Sequence, residues 1–436
     1  MILMTPRIST NRGHAASRGR PAGFSLTELL VASSIALVVM GAVAQLFSVF
    51  SGALSGSQTT VDLAARMRAT AWRLRQDLAG ATVDLVPWTP PEANAGYFEL
   101  IEGPLADTSA GHGSSKLDAD TDDILLFTTR SAGSPFVGRF SSDKIESACA
   151  EVAWFCREAG DQPVSGTQMY NLYRRQLLVV GYVGRPPFSS GNANSTAGTL
   201  PNTTYDISMR ADGGQLVPNS LGDLTKRENR FMHGATFPYA LQTDATSRLL
   251  PSATFDSTDR VWEDVLLTNV IAFDVRVFDA SAKADTSATP PRYPGDPGYV
   301  TGTGAAGAYV DLGWGLSGTA TTISGTFPPA GQTAFQSKGM RVSNAPRSST
   351  MPSATYDTWS LHYEFNGEDD DGDGLIDEGT NAADDNGDQL PDNAAEYETS
   401  PPYPVPLRGI EIRLRCYEPS SKQVRQITVR HTFGRK

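Results

Sequence analysis

The sequence predicts an α+β chain in which one long N-terminal helix precedes a body of antiparallel strands, and three observations carry that reading. From Leu29 to Phe50 there are 22 residues without a charged group, and at about 1.5 Å per residue this run spans the ~30 Å hydrocarbon core of a bilayer. Past Ser51 the chain turns polar yet keeps a helical period. Near the C-terminus Ile410, Ile412, Leu414 and Cys416 alternate with Glu411, Arg413 and Arg415, the period of a half-buried strand.

In the second half of the helix, Ala64, Met67, Ala71, Leu74, Leu78 and Ala81 fall at alternating three- and four-residue spacings, which makes one apolar stripe. Arg66, Arg68, Arg73, Arg75 and Asp77 mark the other faces, and Gly80 followed by Thr82 and Val83 suggests where the helix fades. The expectation is a spanning helix over 24–53, continued by an amphipathic helix over 54–84 whose stripe docks on a β-rich body over 85–436. A membrane anchor joined to an independent surface helix would instead predict a break between residues 50 and 60.

Strand character is visible at Tyr97–Ile101, Asp123–Thr129, Gln176–Val183 and Val265–Phe278, and at Gly409–Tyr417, which turns at Pro419–Lys422 into Gln423–Phe433. Residues 185–260 and 280–350 are dense in Gly, Pro, Ser, Thr, Asn and Ala, and read as long loop insertions. The chain carries 41 glycines and 28 prolines, in keeping with many turns. Of three cysteines, Cys149 and Cys156 are close enough in sequence to close a small disulfide loop in an oxidising compartment, which leaves Cys416 as a buried thiol.

The first 23 residues hold Arg7, Arg12, Arg18 and Arg20 and no acid. A secretory signal peptide would be shorter in its apolar part and cut on the far side of it, whereas here a polar leader precedes the apolar run. A plain anchor leaves unexplained why Glu28 sits at the start of the span, where ionisable groups are costly and usually paired. The segment Gly23-Phe24-Ser25-Leu26-Thr27-Glu28-Leu29-Leu30-Val31-Ala32 resembles type IV prepilins. The resemblance implies leader cleavage between Gly23 and Phe24 by a prepilin peptidase, N-methylation of Phe24, and a Glu28 carboxylate that pairs with the terminal amine of a neighbouring subunit. The partners it implies are other pilin or pseudopilin subunits, the membrane and an inner-membrane assembly platform. The leader arginines favour a cytoplasmic N-terminus and a periplasmic or extracellular body.

In order along the chain, the pieces 73–78, 123–129, 173–176 and 265–274 and the terminal hairpin look similar to the J-type minor pseudopilins of type II secretion and to the W-type minor pilins. The 436 residues are about double the usual J-type length, a departure that the insertions account for.

Between Asn366 and Glu398 lie thirteen carboxylates and no lysine or arginine. Asp369, Asp371, Asp373, Gly374 and Asp377 take positions 1, 3, 5, 6 and 9 of an Asp-x-Asp-x-Asp-Gly calcium loop, and the Leu375 carbonyl can serve as the seventh-position ligand. Position 12 is Thr380, for which Glu378 can substitute. Fifteen residues on, Asp384, Asn386, Asp388 and Asp392 repeat the pattern with Gln389 where glycine would stand. The tandem resembles thrombospondin type 3-like repeats, which implies Ca2+ in a structural role.

The formal charge is −12, and removal of the four leader arginines takes it to −16. Nucleic acid is therefore a poor ligand for the body, since phosphate binding needs a concentrated basic face. The motif Gly302-x-Gly304-x-x-Gly307 lacks a βα context, the histidines at 14, 112, 233, 362 and 431 are scattered, and no nucleophile elbow is present. Arg174 and Arg175 read as solvent-facing strand positions. The sequence thus points away from an enzyme. It points first to a minor pseudopilin at the tip of a type II secretion pseudopilus, with a minor type IV pilin and a membrane-anchored calcium-dependent binding module as alternatives.

Overall fold

The computed structural model describes residues 23–434 apart from 104–119, 181–187, 190–205, 243–248, 251–263, 313–353 and shorter stretches that include 371–373, 386 and 393–395. The leader before Gly23 lies outside the described residues. Helix α1 runs over Leu26–Ala79 and is helical through residues 50–60. The chain forms two compact units, Met1–Gln58 and Thr59–Lys436.

In the second unit, α1 is followed by strands β1 (Phe98–Glu102), β2 (Ile124–Arg130), β3 (Phe136–Phe140), β4 (Asp143–Ser147), β5 (Cys149–Glu158), β6 (Tyr170–Val179) and β7 (Phe188–Ser189). Next come β8 (Met209–Asp212), β9 (Gln215–Pro218), β10 (Val265–Lys283), β11 (Ala306–Asp311), β12 (Ala354–Asp357), β13 (Gly409–Glu418) and β14 (Gln423–Thr432). Nine of them make one sheet in the order β12-β1-β2-β5-β6-β10-β13-β14, with β11 also on β10. Its pairings are antiparallel, as an α+β class requires. Small sheets β3–β4 and β7-β9-β8 stand beside it.

The predicted stripe meets this sheet. Met67, Ala71, Leu74 and Leu78 are buried in one cluster with Leu125, Phe127, Val152, Trp154, Phe273, Ile412 and Leu414. On the opposite face Leu126, Ala153, Phe155, Tyr173 and Leu177 pack with Leu221, Leu224, Phe231 and Met232 from the insertion. Burial on both faces explains why β5 has no alternation to read in Cys-Ala-Glu-Val-Ala-Trp-Phe-Cys. The insertion at 185–260, expected as loop, contains β7 to β9 and a buried segment around Arg227.

Asp77 and Arg174 correct the expectation of solvent-facing charges. Asp77 lies on the buried side of α1 and is 2% exposed. Its carboxylate accepts hydrogen bonds from Arg174 Nε at 2.6 Å, Arg174 Nη2 at 2.9 Å and Trp154 Nε1 at 3.2 Å. Arg175 on the reverse face is also buried, and its Nη1 donates to Asp264 at 2.7 Å. Both arginines were legible as strand residues, but not as ion-paired ones. The Asp77 carbonyl accepts from Thr129 Oγ1 at 2.7 Å, and Arg130 N donates to the Gly80 carbonyl at 2.8 Å. A Cβ at Gly80 would lie 2.3 Å from the Arg130 carbonyl oxygen, so a glycine lets helix end and strand meet.

The cysteine pairing is also corrected. Cys149 and Cys156 stand at opposite ends of β5, on opposite faces, and neither is bonded. Seven residues of extended strand measure about 23 Å, whereas a disulfide needs Cα atoms within about 7 Å. Cys416 is fully buried, as a thiol. Gly302, Gly304 and Gly307 lie in the connection and strand that return antiparallel onto β10, a context unlike the βα turn of a dinucleotide fold.

Removal of one partner from a buried, hydrogen-bonded ion pair leaves the other charge stranded. Asp77→Ala should therefore cost about 3–5 kcal/mol in urea unfolding, while loss of the neighbouring Arg73, which approaches Asp77 only at 3.5 Å and is one-third exposed, should cost below about 1 kcal/mol. Equal costs would contradict the assignment of the hold to Asp77 and Arg174.

Candidate functional site

Gly23 and Phe24 precede α1 and are exposed, with nothing within 4 Å of a Cβ built on Gly23. Ser25 stands just before the first helical residue, and Glu28 follows three residues later. Ser25 N donates to Glu28 Oε2 at 2.8 Å, Ser25 Oγ donates to the same oxygen at 2.9 Å, and Glu28 N donates to Ser25 Oγ at 3.3 Å. This is a capping box: the serine closes the open end of the helix and the acid returns to the serine. The side-chain bonds from Ser25 thus engage Glu28 Oε2 and start the helix two residues beyond the Gly23–Phe24 bond.

From Leu26 to Ser51 the helix is long and apolar enough to cross a membrane. Two of its hydroxyls are satisfied along the helix, since Ser33 Oγ and Ser34 Oγ donate to the Leu30 carbonyl at 3.0 and 2.8 Å. Such internal bonding suits an apolar medium, where no water is present to take it over.

The acidic segment folds into two turns of like construction, offset by fifteen residues. In the first, Gly367 N donates to the Asp377 carboxylate at 3.0 Å and Gly374 N to Asp369 Oδ2 at 3.0 Å. In the second, Ala382 N donates to Asp392 Oδ1 at 2.8 Å and Gln389 N to Asp384 Oδ2 at 2.9 Å. Asn366 and Asn381 open them alike, each bonding the acid four residues ahead (Asp370 and Asp385) at 2.7 and 2.8 Å. Left-handed residues recur in register: Gly367 and Ala382, Gly374 and Gln389, Asp377 and Asp392. Gln389 at φ +70° occupies a conformation natural to glycine.

Of the predicted ligands, Asp369, Leu375, Asp377 and Glu378 belong to the first turn, and Asp384, Asp388 and Asp392 to the second; Asp371, Asp373 and Asn386 lie outside the described residues. Glu378 is buried. The structure adds two acids that the loop spacing does not signal. Glu398 accepts from Asp370 N and, at 3.0 Å, from Asp377 N, while Glu396 accepts from Asp385 N at 3.0 Å. Carboxylate oxygens of Asp384, Asp388 and Glu396 lie within 4.8 Å of one another, and this all-oxygen set has the chemistry of a hard-cation site.

Glu364, fully buried in the turn Leu361–Glu364, anchors the assembly by accepting from Glu398 N at 2.6 Å, Thr399 N at 3.0 Å and Thr399 Oγ1 at 2.7 Å. Partial burial, assisted by Glu368, Glu228 and Glu364 and opposed by a hydrogen bond from Asn366, pushes the Asp370 carboxyl up to about 6. A separate, fully buried trio, Glu102, Asp120 and Asp123, also brings its oxygens within 4.8 Å of one another. Backbone amides reach it: Val275 N donates to Asp123 at 2.6 Å and Leu312 N to Glu102 at 3.1 Å. These acids thereby tie the ends of β1 and β2 to β10 and to the residue after β11.

If Glu398 and Glu396 each serve one turn, Glu398→Ala should speed amide exchange at Asp370 and Asp377 and leave Asp385 protected, with Glu396→Ala doing the reverse. Exchange measured residue by residue checks this, and equal loosening of both turns by either variant would contradict it.

No curated protein and no solved structure gives a significant match to the chain. The family model for the prokaryotic N-terminal methylation motif matches residues 18–44, which include Gly23, Phe24 and Glu28. The capped helix start at the matched position and the apolar span behind it agree with that motif, and together they support a type IV pilin-like protein with a prepilin-type, membrane-anchoring N-terminus.

Proposed function

We propose that this chain is a minor pseudopilin that assembles through its N-terminal helix into the tip of a type II secretion pseudopilus and carries its β-rich body outside the cytoplasm. The observation that carries the reading is Glu28, the one charge in Leu26–Ser51, set in the first turn of the helix directly after the Gly23–Phe24 bond. An acid there is costly in hydrocarbon unless paired. The amine released at Phe24 of a neighbouring subunit is the counter-charge that processing would provide, and Oε1 of Glu28 is the oxygen that the capping box does not use. The body plays a structural part, and its chemistry favours no catalytic role.

The leader arginines support a cytoplasmic N-terminus, and the order of strand blocks, similar to both J-type minor pseudopilins and W-type minor pilins, supports a minor subunit and makes a minor type IV pilin the second reading. Glu28→Ala tests assembly: the variant should still be anchored but fail to co-purify with, or cross-link to, partner subunits. Normal incorporation would overturn the proposal and leave a plain membrane anchor.

Calcium is proposed as a structural ion of the acidic turns. Asp384, Asp388 and Glu396 would hold it in the second turn, and Asp369, Asp371, Asp373, the Leu375 carbonyl and Asp377 are the corresponding set in the first. A divalent cation would supply the positive charge that relieves repulsion among thirteen acids. In calorimetric titration with CaCl2 the protein should take up calcium, Asp384→Ala and Asp388→Ala should each remove the second-turn event, and acidification should weaken it because the ligating form is the carboxylate. Absence of binding heat together with unchanged thermal stability on calcium addition would end this part of the reading.

A further inference from the structure

Strand β14 ends the nine-stranded sheet, and among the described residues no strand pairs with its outer side. Its ladder with β13 runs unshifted from Gly409–Thr432 to Glu418–Gln423. The strand reads Gln-Val-Arg-Gln-Ile-Thr-Val-Arg-His-Thr, with no proline, no lysine and no acid. Sheet edges are ordinarily blunted by shortness, bulges, prolines or lysines. The opposite edge, β12, is only four residues long, whereas β14 is ten residues long and carries none of these devices.

The open backbone groups of this edge can be identified. One step beyond the ladder, Phe433 N donates to the Arg408 carbonyl at 2.9 Å, so by the alternation of an antiparallel pair the odd-numbered residues of β14 are the ones bonded to β13. Val424, Gln426, Thr428, Arg430 and Thr432 therefore turn their amides and carbonyls outward. The Thr428 carbonyl agrees with this, since Arg75 Nη2 of α1, which belongs to no strand, reaches it at 3.5 Å. Val424 is 38% exposed, and Arg425, Gln426, Arg430 and Thr432 are exposed as well.

A row of charges crosses the sheet toward the same edge. Asp311 of β11 stands opposite Arg276 of β10, Arg276 opposite Glu411 of β13, and Glu411 opposite Arg430 of β14. The signs alternate: Arg276 Nε lies 3.3 Å from Asp311 Oδ1, and Arg430 Nε donates to Glu411 Oε2 at 2.5 Å. The first three are buried, but the Arg430 side chain is 68% exposed. The acids of the hairpin are already committed, because Glu411 also accepts from Arg413 Nε at 2.8 Å and Glu418 accepts from Ser420 N and Oγ at 3.2 and 2.7 Å. Arg425, on the helix-facing side of β14, and Arg75 add further positive charge along the edge. In a chain of net charge −12, this edge is set apart as basic.

We propose that the outer side of β14 takes up an extended, acid-bearing segment of a partner polypeptide as an added strand, with a carboxylate opposite Arg430 that continues the row from Asp311. Main-chain bonds to the outward residues would hold the segment, and the arginines would select it. A second copy of this chain is a poor occupant, because β14 has no carboxylate to place there and like charges across a strand pair are unfavourable. No residue of Leu26–Ser51 takes part, so this inference is independent of the assembly role given to Glu28.

The test uses the full chain in detergent and synthetic peptides matched to β14 in length, built of alternating threonine and valine with two glutamates in one and two lysines in the other. Hydrogen exchange is read residue by residue. The glutamate peptide should slow the amides of Val424, Gln426, Thr428 and Arg430, and the lysine peptide should bind about tenfold more weakly or worse. Gln426→Pro removes one outward amide at a position where an edge strand tolerates proline, and should abolish the slowing while Ile427 and Val429 stay protected. Should that variant fold poorly, Arg430→Gln serves instead and should narrow the difference between the two peptides. The proposal is overturned by absence of slowing with the glutamate peptide at millimolar concentration, by equal binding of both peptides, or by undiminished binding in Gln426→Pro. Outward amides that are slow in the protein alone and quicken on dilution would assign the edge to a second copy, and would overturn it too.

Discussion

The body of this protein is organised by the contact between an amphipathic helix and a sheet, and that contact turns on the buried pair of Asp77 and Arg174. A helix with an apolar stripe can settle on a sheet in several registers at similar cost. A carboxylate in the stripe has to find its donors, however, and Arg174 Nε, Arg174 Nη2 and Trp154 Nε1 offer them at one place. The pair adds little net energy for the desolvation it requires, but it makes the wrong registers expensive. Gly80 and Thr129 then fix where the helix stops and where β2 ends. The C-terminal hairpin is held to the same helix at the far end of the stripe, where Thr59 Oγ1 meets Ser420 Oγ at 2.8 Å.

How much of this was legible depended on whether burial was one-sided. The stripe of Met67, Ala71, Leu74 and Leu78 and the alternation in β13 were readable because one face of each element is wet or polar. Strand β5, buried on both faces, has no period, and so it hid Cys149 and Cys156 at opposite ends of a strand where a short loop was expected. Asp77 read as surface because an acid four residues after an arginine on a helix usually is surface. The Arg227, Arg230 and His233 series lay inside a stretch whose composition announced loop, and a three-residue spacing of basic residues has no meaning until the opposing carboxylates of Glu99 on β1 and Asp357 on β12 are placed beside it.

The fifteen-residue repeat of the acidic segment was legible, and for a physical reason. Alternate acids followed by a residue that tolerates a left-handed backbone specify a tight turn by themselves, so the repeat at fifteen residues survives in the structure as repeated backbone conformations and repeated amide-to-carboxylate bonds. What the spacing could not reveal was Glu396 and Glu398, which reach the turns from outside the repeat, and Glu364, which ties the whole segment to the edge of the sheet. Each turn thus has backbone amides taken up by an acid of the returning chain, Glu398 for the first and Glu396 for the second.

The functional account rests on the other end of the molecule, on a capped helix start behind a polar leader and on a terminal amine that only processing can generate. Its most direct test is mass spectrometry of the N-terminal peptide from protein purified out of the native membrane. The account predicts a chain that begins at Phe24 with a methylated α-amine and lacks residues 1–23. A mature chain that begins at any other residue, or that retains its leader in assembled material, would contradict it.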